Sequence, residues 1–286
     1  MIPAICRIFV LTSLLALAAC DGDELREQPE PTTPAADTST PDQPIARRAT
    51  AEECELTMGW DPWEPYQYRD VGGEVHGLDV EIVSAIAEMS DCELSFVSSD
   101  WATLLERLRT GDVDILTGAT RNKQREQFAY FTDPYRDESF RLYVRAGEQN
   151  EYSSTNLEDL LEKGLRLGVT QEYLYGGTVS ALEQNPEYSG QFLPASVGEV
   201  NYSRLLNEEI DGFLEDPYVA AAVMRTKGLT DDIEAHPFAI ETDPVSLMIS
   251  RESVSPGIAQ RLNDSLIELK SQDDYQDILN KYLEGG

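Results

Sequence analysis

GDVDILTGATRNKQREQFAYFTDPY, residues 111–135, decides how the rest of the chain reads. Val113, Ile115 and Leu116 make a short apolar run that predicts a strand over 113–117. The run passes into four small residues, Thr117, Gly118, Ala119 and Thr120, over which a ligand can approach the backbone. A helix is expected to start near Thr120, and its free N–H groups favour an anion. Arg125 follows, and a guanidinium can hold a carboxylate with two parallel hydrogen bonds. The alternative for Arg125 is a salt bridge on a helix surface.

On either side of this stretch, apolar runs and helical patterns alternate. A strand over 54–59 leads into a loop over 60–76, GWDPWEPYQY at its start. Leu78, Ile82, Val83, Ile86 and Met89 share one face of a helix. A strand over 92–97 follows, then a helix capped by Asp100 and stopped by Gly111. Strand–helix–strand–helix–strand at these lengths predicts right-handed parallel crossovers, with ligands bound beyond the carboxyl ends of the strands. A second unit starts near 147, with strands at 165–169, 191–195 and 210–214 and helices at 176–184, 202–207 and 220–224. The chain then returns to the first unit through a strand over 244–250 and helices over 256–270 and 273–283. The second unit, 147–240, is therefore an insertion into a first made of 51–146 and 241–286, and two crossing strands serve as the hinge.

The formal net charge is −31, with the acidic residues spread along the chain. Such a surface repels phosphates and argues against nucleic acid and against direct contact with anionic lipid. Arg7 precedes an apolar run from Ile8 to Ala19 that is short for a membrane span and reads as a secretory signal over 1–19. It ends in Leu17-Ala18-Ala19-Cys20, which resembles the lipobox of bacterial lipoproteins and implies a lipid on the Cys20 thiol. An ordinary signal with a chance cysteine is the alternative. Residues 21–50 hold five prolines and five threonines and no aromatic residue, the composition of a tether that spans roughly 30 Å. Cys54 and Cys92 each open a strand of the same form, Cys-Glu-Leu, and two such starts lie side by side in a parallel sheet. In an oxidising compartment this predicts a disulfide; two free buried thiols are the alternative.

The order strand, small-residue turn, Arg125, then Phe131-Thr132-Asp133-Pro134-Tyr135 resembles the carboxylate clamp of bacterial family 3 solute-binding proteins, the receptors of amino-acid ABC importers. The resemblance covers 54–285. It implies a type II periplasmic-binding-protein-like α/β fold of two lobes joined by a two-stranded hinge, without a cofactor. The implied partners are a small zwitterionic ligand such as a polar amino acid and an ABC permease. The implied setting is a lipid-anchored monomer in the periplasm or cell envelope. Carried over residue by residue, Arg125 and the amides near Thr120 take the ligand carboxylate. Thr117 and the Gly118 carbonyl accept from its ammonium, and Asp216 is the second ammonium partner, unless it only caps the helix at Pro217. Trp60, Trp63 and Trp101 line the pocket, unless they pack in the core. The family's Gly-Thr after the first strand of the second lobe is replaced here by Glu172-Tyr173. Tyr173 is then the closing residue, and Glu172 either points away or meets a cationic part of the ligand. Some relatives are dehydratases of cyclic carboxylic acids, and Glu172 is the one group that could serve as their general acid. A ligand-sensing subunit without transport is a third reading. No metal spacing, phosphate loop, Cys-x-x-Cys or G-x-S-x-G motif is present.

Overall fold

A computed structural model describes residues 54–283 except Thr155. The signal, Cys20 and the tether lie outside the described residues. The described chain is built on two five-stranded sheets. In the first, Cys54–Trp60 lies between Cys92–Ser98 and Ile115–Ala119, all parallel. Ser246–Ser250 then pairs antiparallel with Ile115–Ala119 and with Ala129–Phe131 at the edge. Helices Leu78–Met89, Pro256–Lys270 and Asp273–Leu283 cover one face around Leu56, Met58, Ile82, Ile86, Leu262 and Leu266. Helix Trp101–Thr110 covers the other through Leu104 and Leu108. Asp100 caps that helix by accepting from the Thr103 amide, and Gly111 ends it in the left-handed conformation.

The second sheet runs Ile233–Glu241, Ser139–Arg145, Gly212–Glu215, Leu167–Thr170, Phe192–Ala195. Its last three strands are mutually parallel and the first two add antiparallel. Helices Leu157–Glu162 and Gly176–Gln184 pack on one side and Val200–Leu206 and Pro217–Lys227 on the other. The chain crosses twice between the sheets, near 135–138 and 242–245. The crossings are paired: Tyr135 N–H donates to the Val245 carbonyl at 2.9 Å and Val245 N–H to the Arg136 carbonyl at 3.0 Å. These are the two α/β lobes and their two-stranded hinge.

Several expectations need correction. No helix begins at Thr120. The segment 120–127 is polar and has no apolar stripe to bury, so it makes only a short 3-10 turn at Arg125–Gln127, begun by the Asn122 side chain accepting from the Arg125 amide. The clamp strand is Ile115–Ala119, two residues later than predicted, so Thr117 and Gly118 lie inside it. Met89 is exposed. The chain joins the second sheet at Ser139, earlier than the predicted start near 147. The Cys54–Cys92 disulfide is present, its two residues in register on adjacent strands with Cα atoms 4.5 Å apart.

Candidate functional site

The cleft lies where both sheets present the carboxyl ends of their parallel strands, the position topology favours for ligands. The first lobe contributes the loop after Trp60, the end of strand Ile115–Ala119 with Thr120 beyond it, and the start of helix Trp101–Thr110. The second contributes the turn after Thr170 and the Glu215-Asp216 pair. A cavity of about 20 Å³ remains between them. Its walls include Trp63, Trp101, Thr117, Gly118, Thr120, Arg125 and Tyr173, all named from sequence, together with Asp61, Gln67 and Glu138, which were not.

Arg125 is buried and, among the described residues, makes no ion pair. Its Nη1 donates to the Thr120 carbonyl at 3.2 Å and its Nη2 to the Glu172 carbonyl at 2.9 Å. The guanidinium stacks over Trp101, 5.6 Å from the ring centroid. Burial pulls its pKa down to about 10, with the Glu172 and Glu138 charges opposing. A buried cation that meets only carbonyl oxygens keeps charge and donors that an anion could take up.

Asp61 is the opposite pole. Its oxygens accept from the Gln67 amide at 2.8 Å and from the Tyr173 hydroxyl at 3.3 Å. Burial raises its pKa to about 6 against the pull of those hydrogen bonds. Gln67 is held in turn by the Thr117 hydroxyl at 2.9 Å. Three more buried acids gather nearby. Glu138 is raised to about 7 by burial, partly offset by Arg136, and Glu215 to about 8 by burial, opposed by the Trp63 indole. Asp216 is raised by burial, with Arg136 opposing. The cation among them is Arg136, whose Nε lies 3.2 Å from Asp79 and whose Nη1 lies 3.5 Å from Glu138. Arg136 also stacks on Tyr66, 3.9 Å from the centroid. It fixes Gly118 as well: that residue has φ 59°, and a Cβ there would sit 3.0 Å from Arg136 Nη2.

Among the described residues, five hydrogen bonds tie the lobes across the cleft. Trp63 Nε1 donates to Glu215 Oε1 at 3.3 Å and Tyr66 hydroxyl to Asp216 Oδ2 at 3.1 Å. Trp101 Nε1 donates to the Glu172 carbonyl at 3.3 Å, and the Arg125–Glu172 and Tyr173–Asp61 bonds complete the set.

Two predicted site residues stand outside the cavity. Trp60 is buried at the end of strand Cys54–Trp60, under the Arg69 guanidinium at 5.2 Å. Asp216 caps helix Pro217–Lys227 through the Tyr218 and Val219 amides and takes Tyr66 on its other oxygen. Glu172 is exposed as a residue, and its backbone carbonyl, not its carboxylate, is what meets Arg125 and Trp101. Asp61 was legible in principle, since it stands between the two tryptophans of the loop. Glu138 and Arg136 had no local signal, because only the hinge brings them to the cleft. Among the described residues, one group of metal-ligand type occurs, Asp70, Glu74 and His76 at an exposed hairpin away from the cleft, where the histidine lies 3.3 and 3.6 Å from the two acids. No described helix is long and apolar enough to cross a membrane.

Comparison with known proteins agrees with this architecture. Residues 56–285 match the model of the bacterial extracellular solute-binding proteins, family 3. A probable histidine-binding protein of Neisseria gonorrhoeae is 26% identical over 283 residues, covering 96% of this chain and 94% of its own. A putative ABC transporter arginine-binding protein of Escherichia coli is 23% identical, covering 82% and 93%. Among solved structures, an ancestral arginine-binding protein bound to glutamine superposes with a TM-score of 0.68 at 20% identity, over 82% of this chain and 99% of its own.

Proposed function

Starting from family 3 of the bacterial extracellular solute-binding proteins, to which this chain belongs, we propose that its two lobes capture an amino acid with a cationic side chain and present it to an ABC import permease. The observation that carries this reading is the pairing in one cleft of a buried guanidinium, Arg125, with a buried carboxylate, Asp61, neither of which has an ion-pair partner among the described residues. Arg125, with the backbone of Gly118 to Thr120, takes the ligand carboxylate. Glu138, on the cavity wall, is better placed for the ammonium than Asp216, whose oxygens already serve a helix cap and Tyr66. Thr117 positions Gln67, and Gln67 positions Asp61 for the side-chain cation. Trp63 and Trp101 supply flat faces that attract a guanidinium or imidazolium. The names of the histidine- and arginine-binding relatives are consistent with that charge pattern.

In this reading the chain acts outside the cytoplasm as a monomer, held to the membrane by a lipid on Cys20 and a tether over 21–50, and breaks no bond. Isothermal titration against arginine, histidine, lysine and neutral or acidic amino acids tests the ligand class. Cationic amino acids should bind at least tenfold more tightly than glutamine or glutamate. No binding of any of the three refutes the reading. Cys20→Ser should release the protein from membranes; unchanged membrane association removes the lipid anchor.

A further inference from the structure

The cleft is filled by a piece of the chain itself. Glu172, a non-glycine residue in the turn after strand Leu167–Thr170, has φ 65°. A side-chain-bearing residue pays to enter that left-handed region. The turn aims the Glu172 carbonyl inward, where it accepts from Arg125 Nη2 at 2.9 Å and from Trp101 Nε1 at 3.3 Å. The next residue, Tyr173, enters the space between the aromatic walls. Its ring meets Trp63 edge-on at 6.1 Å and Trp101 edge-on at 6.0 Å, and packs against the cores of both lobes. Its hydroxyl donates to Asp61. The cavity left over, about 20 Å³, has room for a water molecule but not for an amino acid.

The segment thus supplies three things to the cleft: an acceptor oxygen for the buried guanidinium, a flat ring between the tryptophans, and a hydrogen-bond donor for the buried carboxylate. Three of the five hydrogen bonds that close the lobes pass through these two residues. We infer that Glu172-Tyr173 is an internal surrogate ligand that holds the cleft shut in the free protein and sets its specificity. An incoming ligand has to displace Tyr173 and replace what it provides. It therefore carries a carboxylate for Arg125 and, at its other end, a flat group that donates to Asp61, such as a guanidinium or an imidazole. An aliphatic or acidic side chain leaves the second Asp61 oxygen, the one Tyr173 serves, buried without a donor and is rejected. The apparent affinity of the true ligand is lowered by the fraction of molecules in which the plug is seated.

The inference rests on the proposed function only in placing the external ligand in this cleft. Its test has an arm that needs no ligand. Small-angle X-ray scattering is recorded without ligand on the full chain carrying Cys20→Ser, alone and with Tyr173→Ala or Tyr173→Phe. The parent should be compact and should not contract on adding arginine. Tyr173→Ala should have a larger radius of gyration, which arginine reduces. In calorimetry, Tyr173→Ala should bind arginine at least tenfold more tightly than the parent. Tyr173→Phe, which keeps the ring and frees Asp61, should bind it severalfold more tightly. A ligand-free parent as expanded as Tyr173→Ala overturns the plug. Weaker arginine binding by both variants also overturns it, since the ring is then an ordinary wall of the site. Should no amino acid bind any variant while Tyr173→Ala alone opens, the plug stands and the ligand reading falls. If Tyr173→Ala does not fold, Tyr173→Phe decides: arginine affinity at or below the parent's overturns the inference.

Discussion

Removing the Cys54–Cys92 disulfide tests how the first lobe is held. The bond joins strand Cys92–Ser98, the edge of its sheet, to strand Cys54–Trp60. The two cysteines are 38 residues apart in sequence, and closing a loop of that length removes conformational entropy from the unfolded chain worth about 4 kcal/mol in the chain-entropy model. Both residues are buried, so alanine at both positions keeps the site apolar and adds only a small packing loss. A cost of about 4 kcal/mol is a large part of the 5–15 kcal/mol typical of a folded domain. At roughly 2–4 °C per kcal/mol for a body of this size, the melting temperature should fall by about 8–16 °C. The assay is urea unfolding of the Cys54→Ala/Cys92→Ala protein, followed by tryptophan fluorescence and far-ultraviolet circular dichroism, beside the parent with and without reductant. Variant and reduced parent should lose similar stability. A loss below about 1 kcal/mol in both refutes the argument, as does titration of two free thiols from Cys54 and Cys92 in denatured, unreduced protein.

Arg125→Ala should weaken ligand binding by about 10²- to 10⁴-fold, the worth of two charge-assisted hydrogen bonds, while the circular dichroism spectrum is kept; calorimetry reads it, and an unchanged affinity ends the clamp. Asp79→Asn strips Arg136 of its closer buried partner and should cost about 3 kcal/mol or more in urea titrations. Stability should also depend on pH through Asp61. Its carboxyl holds a proton up to about pH 6 in the folded protein but only to about 4 when unfolded, so the folded state gains from this group at acid pH. That gain is complete below the unfolded value and disappears as pH rises through 6, a loss of about 3 kcal/mol. Glu138 and Glu215, raised to about 7 and about 8, act in the same sense at higher pH. Urea titrations at pH 4.5, 6 and 8 should show the decline, and Asp61→Asn should flatten its lower part; a profile rising from 4.5 to 6 contradicts it.

Much of the fold could be read along the chain. The helices at 176–184, 256–270 and 273–283 were placed to the residue, because each has an apolar stripe or a flanking Gly, Ser or Pro signal in its own sequence. The missed strands are Tyr68–Arg69 and Val75–His76, a short hairpin within the expected loop, and Ala129–Phe131, Ser139–Arg145 and Ile233–Glu241, which flank the hinge or lead into it. Ala129–Phe131 is too short to show a period and Ile233–Glu241 is interrupted by His236-Pro237, whereas Ser139–Arg145 alternates cleanly and did carry a strand signal. The helix expected at Thr120 failed for the opposite reason: the position suited an N-terminus, but nothing beyond it was apolar enough to hold a helix against the body.

The α/β order, the cystine, the small-residue run from Thr117 to Thr120 and Arg125 can all be read from residue order. Each is a local pattern whose physics lies within a few residues or in one strand–helix–strand unit. The contents of the cleft come from the tertiary fold. Asp61, Glu138 and the Glu172 carbonyl come from three distant segments, and their burial and pairing exist only once the two lobes close on one another. Burial makes an unpaired charge costly, so closure of the lobes is what sets Arg125 and Asp61 apart as candidate ligand groups. The same closure turned Tyr173 from a residue at an unusual position into the group that fills the cleft.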